Sequence, residues 1–175
     1  MKKFFSVVAI PTLVMASVTA FAAPNEGETS TVSFNGSIKE NTCVLDSNSV
    51  AKTVELGDVE SSVLASAGLA SQPTSFTISL NECASASASV TFSGDTFNDE
   101  VLKLTASPTT AAGVGIQILE NGTPLKVDGS ASSIIKQVGA EDANDFIFAA
   151  RYIALDNTIE SGTANATVQF TVKYE

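Results

Sequence analysis

The chain has 175 residues, no histidine and no tryptophan, and its 19 acidic residues outnumber 9 basic residues, for a formal net charge of −10. An acidic chain repels nucleic acid and anionic membrane surfaces, so neither is an expected partner. Without histidine, the chain lacks the usual general base of a nucleophilic catalytic triad.

Residues 1–22 have the pattern of a secretory signal peptide. A short basic start precedes the apolar run 4–18, and a small-x-small cleavage signal ends at Ala22. We expect cleavage after Ala22, because cleavage after Ala23 would leave proline beside the scissile bond. The apolar run is too short to favour a membrane anchor. The sequence therefore predicts an exported mature chain, residues 23–175, with no membrane insertion of its own.

The first stretch of the mature chain with a clear strand pattern is 30–38. Its even-numbered positions are apolar or small, and its odd-numbered positions are all polar. Two interpretations are open at this point: an ordinary first strand of a β-domain, or a strand made to fill the core of another molecule. The even-numbered face consists of Ser30, Val32, Phe34, Gly36 and Ile38.

The two cysteines, Cys43 and Cys83, predict one disulfide, because exported proteins commonly oxidise an isolated pair. By the loop-entropy estimate such a bridge stabilises the fold by about 4 kcal/mol. A zinc site is disfavoured, because two thiols without histidine leave the tetrahedron to carboxylates.

The rest of the chain predicts short strands separated by turn residues. Asn121–Gly122 is a strong hairpin signal, residues 61–72 allow a helical turn, and 128–144 has the composition of a polar connection. No segment keeps helical periodicity, so the expected fold is an all-β sandwich of immunoglobulin type. The predicted strands are 37–45, 53–59, 73–83, 89–93, 101–105, 114–119, 124–127, 146–155 and 167–175.

Two of these strands carry distinct expectations. Residues 146–155 are apolar on both faces apart from Arg151, which predicts a central, well-covered strand. The final strand, 167–175, alternates between apolar and polar residues. Its apolar face is Val168, Phe170, Val172 and Tyr174.

The carboxylate pairs Asp99–Glu100 and Glu141–Asp142 are the nearest approach to a catalytic set. They lie in polar loops without an aromatic platform, so a glycosidase is disfavoured. The acidic loop 94–100 lacks the alternating ligand spacing of a calcium site. The sequence predicts no enzyme, no metal site and no cofactor.

The mature chain resembles the major pilins of the type 1 fimbrial family, which are assembled by the chaperone–usher route. The most specific feature is the C-terminus, where Tyr174 is penultimate and Gly162 stands fourteenth from the end. The other blocks that carry the resemblance are 35–38, 53–57, 78–83, 113–119 and 150–152.

The resemblance implies an incomplete immunoglobulin-like sandwich, residues 38–175, that lacks its last strand. It also implies that the extension 23–37 completes a neighbouring subunit and that residues 30, 32, 34, 36 and 38 fill successive pockets there. The edge of the acceptor groove, first covered by a periplasmic chaperone, would include Gly162 and the apolar face of the final strand.

The implied function is a structural subunit of an adhesive fimbria, a homopolymer exported through the periplasm and an outer-membrane usher to the cell surface. The alternative left open is a minor fimbrial adaptor or a single-domain adhesin that binds a host glycan.

Overall fold

The computed structural model describes residues 27–36, 43–84, 86–140 and 143–175. The chain divides into two units, with the boundary between Ser37 and Ile38. The predicted signal peptide, the predicted donor residue Ile38 and the pair Glu141–Asp142 lie outside the described residues.

Strands dominate the described residues, and every strand pair is antiparallel, which confirms the all-β prediction. One sheet has the order β1-β2-β10-β6-β5-β4, with β7 beside β6. The other has the order β11-β3-β8, with β9 also beside β3. The strands are β1 Val44–Leu45, β2 Thr74–Asn81, β3 Ala86–Gly94, β4 Thr96–Asn98, β5 Val101–Leu102, β6 Val114–Glu120, β7 Thr123–Pro124, β8 Asp128–Ser132, β9 Lys136–Val138, β10 Asn144–Ala154 and β11 Val168–Tyr174.

An aromatic cluster joins the two sheets. The ring of Phe92, on β3, lies 5.0 Å from that of Phe148, on β10, in an edge-to-face arrangement. Phe76 of β2 packs against both. Edge-to-face contact suits the charge distribution of aromatic rings, and these residues anchor the core.

Strand β10 is central, as the sequence predicts, since β2 and β6 pair with its two edges. Phe146, Phe148 and Ala150 face the core and are buried. The expectation that both faces are covered is wrong, because Ile147 on the outer face is 65% exposed. Neighbouring positions on that face of β2 carry the polar side chains of Ser75 and Thr77, so it lacks the apolar surface needed to hold a second layer.

The predicted hairpin at Asn121–Gly122 is confirmed. Leu119 pairs with Pro124 and Glu120 with Thr123, which leaves the two turn residues between them. Asn121 has φ 51° and Gly122 has φ 81°, the left-handed values that a type I′ turn requires.

The disulfide between Cys43 and Cys83 is formed. Residues 61–72 contain a single 3-10 turn, Ser61–Leu64, and a second such turn, Ser47–Ser49, is capped by Asp46. Within the described ranges, no helix is both long and apolar enough to cross a membrane.

Two loop predictions and one strand boundary are wrong in part. The polar connection 128–144 contains β8 and β9, which both pair with β3; β8 is made of small and polar residues, and β9 has one buried apolar residue, Val138. The acidic loop 94–100 contains β4, and β3 begins at Ala86, three residues before the predicted start at residue 89. These segments adopt the strand conformation mainly because their backbones pair with a neighbouring strand, and less because of their side chains.

Residues 53–59 do not form the predicted strand. Val54 and Leu56 are half-buried between exposed neighbours, but this alternation stops at the exposed Asp58, and the segment has no ladder partner among the described residues. A strand assignment needs a hydrogen-bonded neighbour, and the described residues of this chain supply none on that side.

Candidate functional site

A groove of about 1160 Å³ runs between two segments of the sandwich. One wall is the unpaired segment 51–59, and the other is the stretch that leads from Glu160 into β11. The floor consists of core side chains from both sheets: Phe76, Ile78, Phe92, Leu102, Ile116, Ile118, Ala150 and Tyr152.

The groove is therefore a gap in the core. Phe170 on β11 is only half-buried, although its ring lies 6.5 Å from that of the buried Phe92. The apolar face predicted for the final strand is confirmed, because its residues pack against the core. Most floor side chains are already buried, whereas Phe76, Tyr152 and Phe170 are half-buried, and this remaining apolar surface favours a partner that removes it from water.

Among the described residues, strand β11 is an edge strand that pairs on one side only, with β3. Glu175 and Ser87 exchange both of their backbone hydrogen bonds, at 2.9 and 3.2 Å. Because such pairs alternate in antiparallel sheets, the odd-numbered residues of β11 bond to β3. The N–H and C=O groups of the even-numbered residues consequently point to the open edge beside the groove.

The same alternation continues upstream of β11. The carbonyl of Asn165 accepts from the N–H of Thr105 at 2.7 Å, and Thr163 bonds through its N–H to Thr109 and through its carbonyl to Ala111. Ala164 and Ala166 therefore extend the open edge. The Tyr152 hydroxyl donates to the carbonyl of Ala164 at 3.2 Å.

Gly162 marks one end of this edge. A Cβ atom at this position would collide with the backbone of Thr109 and lie 2.6 Å from the N atom of Ala111, so only glycine fits. Two residues earlier, Glu160 exchanges both backbone bonds with Ala112, at 3.1 and 3.2 Å. Glu160 and Thr163 thus bond to the same segment, 109–112, on either side of Gly162.

Tyr174 occupies the opposite end. Its hydroxyl accepts from the N–H of Cys43 at 3.2 Å and donates to the Cys43 carbonyl at 3.4 Å. The penultimate residue is thereby tied to the disulfide.

The wall 51–59 is acidic on its outer side. Glu55 and Asp58 line the groove and are exposed. The pKa of the Tyr152 hydroxyl is raised, first by its burial and then by the negative charges of Asp58 and Glu55. The two carboxylates therefore add negative charge to a groove lining that also contains Lys52.

The predicted donor segment belongs to the first unit. Residues 27–36 are exposed and form no regular secondary structure, and Phe34 is 92% exposed and Val32 73%. A Cβ atom at Gly36 would meet nothing within 4 Å. Large apolar side chains on an exposed segment are costly in water unless a partner covers them.

Sequence reasoning located the β11 wall but not the floor or the wall 51–59. The floor residues come from β2, β3, β5, β6 and β10, and the pattern of each of those strands predicts only a buried face. The wall 51–59 could have been found from the alternation at Val54 and Leu56. This pattern indicates a strand, and the described residues supply no pairing partner for it.

Residues 32–175 match the family model described as fimbrial protein. The chain is 34% identical over 180 residues to the S-fimbrial protein subunit SfaA of Escherichia coli, covering 99% of this chain and 98% of the relative. It is 36% identical over 168 residues to the fimbrial subunit type 1 of Salmonella typhimurium, covering 91% and 90%. The chain belongs to the fimbrial protein family.

Among solved structures, a chain from a chaperone–usher pilus superposes with a TM-score of 0.61 and 18% identity, covering 88% of this pilin and all of that chain. At this identity the likeness concerns the fold alone. The open sandwich is thus the immunoglobulin-like pilin fold, without the strand that would close the groove.

Proposed function

We propose that this pilin, a structural subunit of a fimbria, polymerises by donor-strand exchange. In this mechanism residues 30–38 of one subunit enter the groove of the next and pair with the open edge of β11. The observation that carries the proposal is the pairing pattern of β11: its even-numbered backbone groups face outward beside a groove floored by core residues. A strand added to such an edge gains a hydrogen-bond ladder and apolar burial together.

The donor segment has the composition that this groove requires. Its even-numbered face offers Val32, Phe34 and Ile38 for burial, with the small residues Ser30 and Gly36 between and beside them. Burial at about 1.5–3 kcal/mol per large side chain amounts to roughly 5–9 kcal/mol before ordering costs. The odd-numbered face is polar and stays in water.

An unfilled groove exposes core residues and a strand edge, a combination that leads to aggregation. We propose that a periplasmic chaperone covers the groove first, through Gly162, Val168, Phe170, Val172 and Tyr174. An outer-membrane usher then exchanges the chaperone for the next subunit, and the fimbria emerges at the cell surface. The role is structural, and we propose no catalytic activity.

The test compares the mature chain with and without residues 23–37, each co-expressed with a matching chaperone and then released. The full chain should form multimers that survive SDS at room temperature and collapse on boiling, whereas the truncated chain should form none. Two soluble, well-folded monomers without any chaperone would contradict the proposal.

A further inference from the structure

One side chain of the groove floor reaches across to the open edge. Tyr152 lies on β10, and its hydroxyl donates a hydrogen bond of 3.2 Å to the carbonyl of Ala164, in the stretch that leads to β11. By the alternation described above, this carbonyl points to the open edge. Within the part of the chain that the structure describes, no other side chain bonds to a backbone group of an even-numbered residue between 164 and 172. The hydroxyl therefore occupies one end of an edge that is otherwise free.

The rest of Tyr152 is fixed by contacts that do not involve its hydroxyl. Its backbone N–H donates to the hydroxyl of Ser71 and its carbonyl accepts from the N–H of Ser71, both at 3.0 Å. Its half-buried side chain packs against both hydrophobic clusters of the sandwich. The hydroxyl can therefore change its hydrogen-bond partner without any change in the position of the ring.

A strand that adds to this edge competes with the hydroxyl for the carbonyl of Ala164. The backbone N–H groups of the strand need the carbonyl oxygens of the edge as acceptors. The hydroxyl approaches the oxygen of Ala164 from the groove, which is the side from which the strand also comes. Breaking the bond to Tyr152 before a new bond forms raises the barrier to insertion, although exchanging one hydrogen bond for another changes the final free energy little.

We infer that the Tyr152 hydroxyl slows strand addition, because it occupies the Ala164 carbonyl in the free subunit and an incoming strand has to displace it. Exposed strand edges pair readily with other edges, and proteins commonly cover them with parts of their own chain. Tyr152 gives one end of this edge such a cover, which the partner strand can remove. This inference rests on the proposed function, and the incoming strand belongs to a second copy of this chain.

The test is Tyr152→Phe, which removes the hydroxyl and keeps the ring that packs against the core. SDS-resistant multimers should form about threefold to tenfold faster after release from the chaperone, the factor that corresponds to one neutral hydrogen bond. The temperature at which the multimers collapse should stay the same, because the hydroxyl is already displaced once the strand is in place. A purely structural role for the hydroxyl predicts the opposite pattern, with no faster assembly and a less stable subunit.

The matched control is Ser71→Ala, which removes the hydrogen bond to the backbone N–H of Tyr152 and leaves the phenol hydroxyl in place. It should assemble at the rate of the unaltered chain. An unchanged or slower rate for Tyr152→Phe, or equal acceleration by both variants, would overturn this role of the hydroxyl and leave donor-strand exchange intact. An unaltered chain that forms no multimers would instead contradict the proposed function.

Discussion

Strands β10 and β11 are built on the same pattern but differ in their neighbours. Both alternate, and both place phenylalanine in the core, Phe148 from β10 and Phe170 from β11. β10 has a paired strand along each edge, and Phe148 is 2% exposed. β11 is paired on one side, and Phe170 remains half-buried.

The difference shows that the sheet around β10 has its full set of neighbouring strands, whereas the sheet edge at β11 has room for one more strand. At β10 the chain satisfies its own backbone groups and excludes water from its own core. At β11 the same kind of sequence leaves a row of N–H and C=O groups without a partner among the described residues, beside apolar side chains that are only half-buried. This arrangement favours the addition of a strand from a second molecule.

The largest expected effect comes from the donor segment. Gly36→Leu should abolish multimers without altering the subunit, because the added side chain meets open space in the free segment but the groove floor in a neighbour. SDS gels of the released chain check the first point, and thermal unfolding checks the second. Fibres of normal length from this variant would contradict the proposed insertion.

A substitution on the closed side should act on the subunit itself. Phe148→Ala should lower the free energy of unfolding by about 3–5 kcal/mol, because the side chain is 2% exposed and its loss opens a cavity beside Phe92. Urea unfolding of the disulfide-bonded subunit measures the loss. A change below about 1 kcal/mol would mean that β10 is not the packed centre described above.

The smallest effect is expected at the centre of the donor. Phe34→Ala should leave the unfolding of the free subunit unchanged, because the side chain is 92% exposed there. In multimers it should remove about 1.5–3 kcal/mol per junction, seen as a lower temperature at which the SDS-resistant ladder collapses. Ser33→Ala, on the polar face, is the matched control and should leave the ladder unchanged. Equal collapse temperatures for both variants would exclude Phe34 from the buried face.

Much of the fold could be predicted because alternation and turn chemistry are local. The runs that became β2, β6, β10 and β11 carry regular apolar positions, and Asn121–Gly122 supplies the left-handed turn. Strand β8 could not be predicted, since its small and polar residues gain stability from backbone pairing with β3 and not from burial, and the three-residue strand β9 has only one buried apolar residue, Val138, to indicate it.

The groove could be predicted only in part. The spacing of Gly162 and Tyr174 from the C-terminus indicates the β11 wall, and the structure adds the physical reasons: no space for a Cβ at Gly162, and a hydroxyl bonded to Cys43. The floor is assembled from five strands, so no single stretch of sequence shows it.

Hydrogen exchange of individual backbone amides tests the central claim most directly, because it reports whether each N–H group has a partner. In the released monomer, the amides of Val168, Phe170 and Val172 should exchange rapidly, while those of Phe146 and Phe148 in β10 stay protected. In multimers both groups should be protected, since the donor strand supplies the missing acceptors. Amides of β11 that are already protected in the monomer, or that remain unprotected in multimers, would contradict an edge completed by a neighbouring subunit.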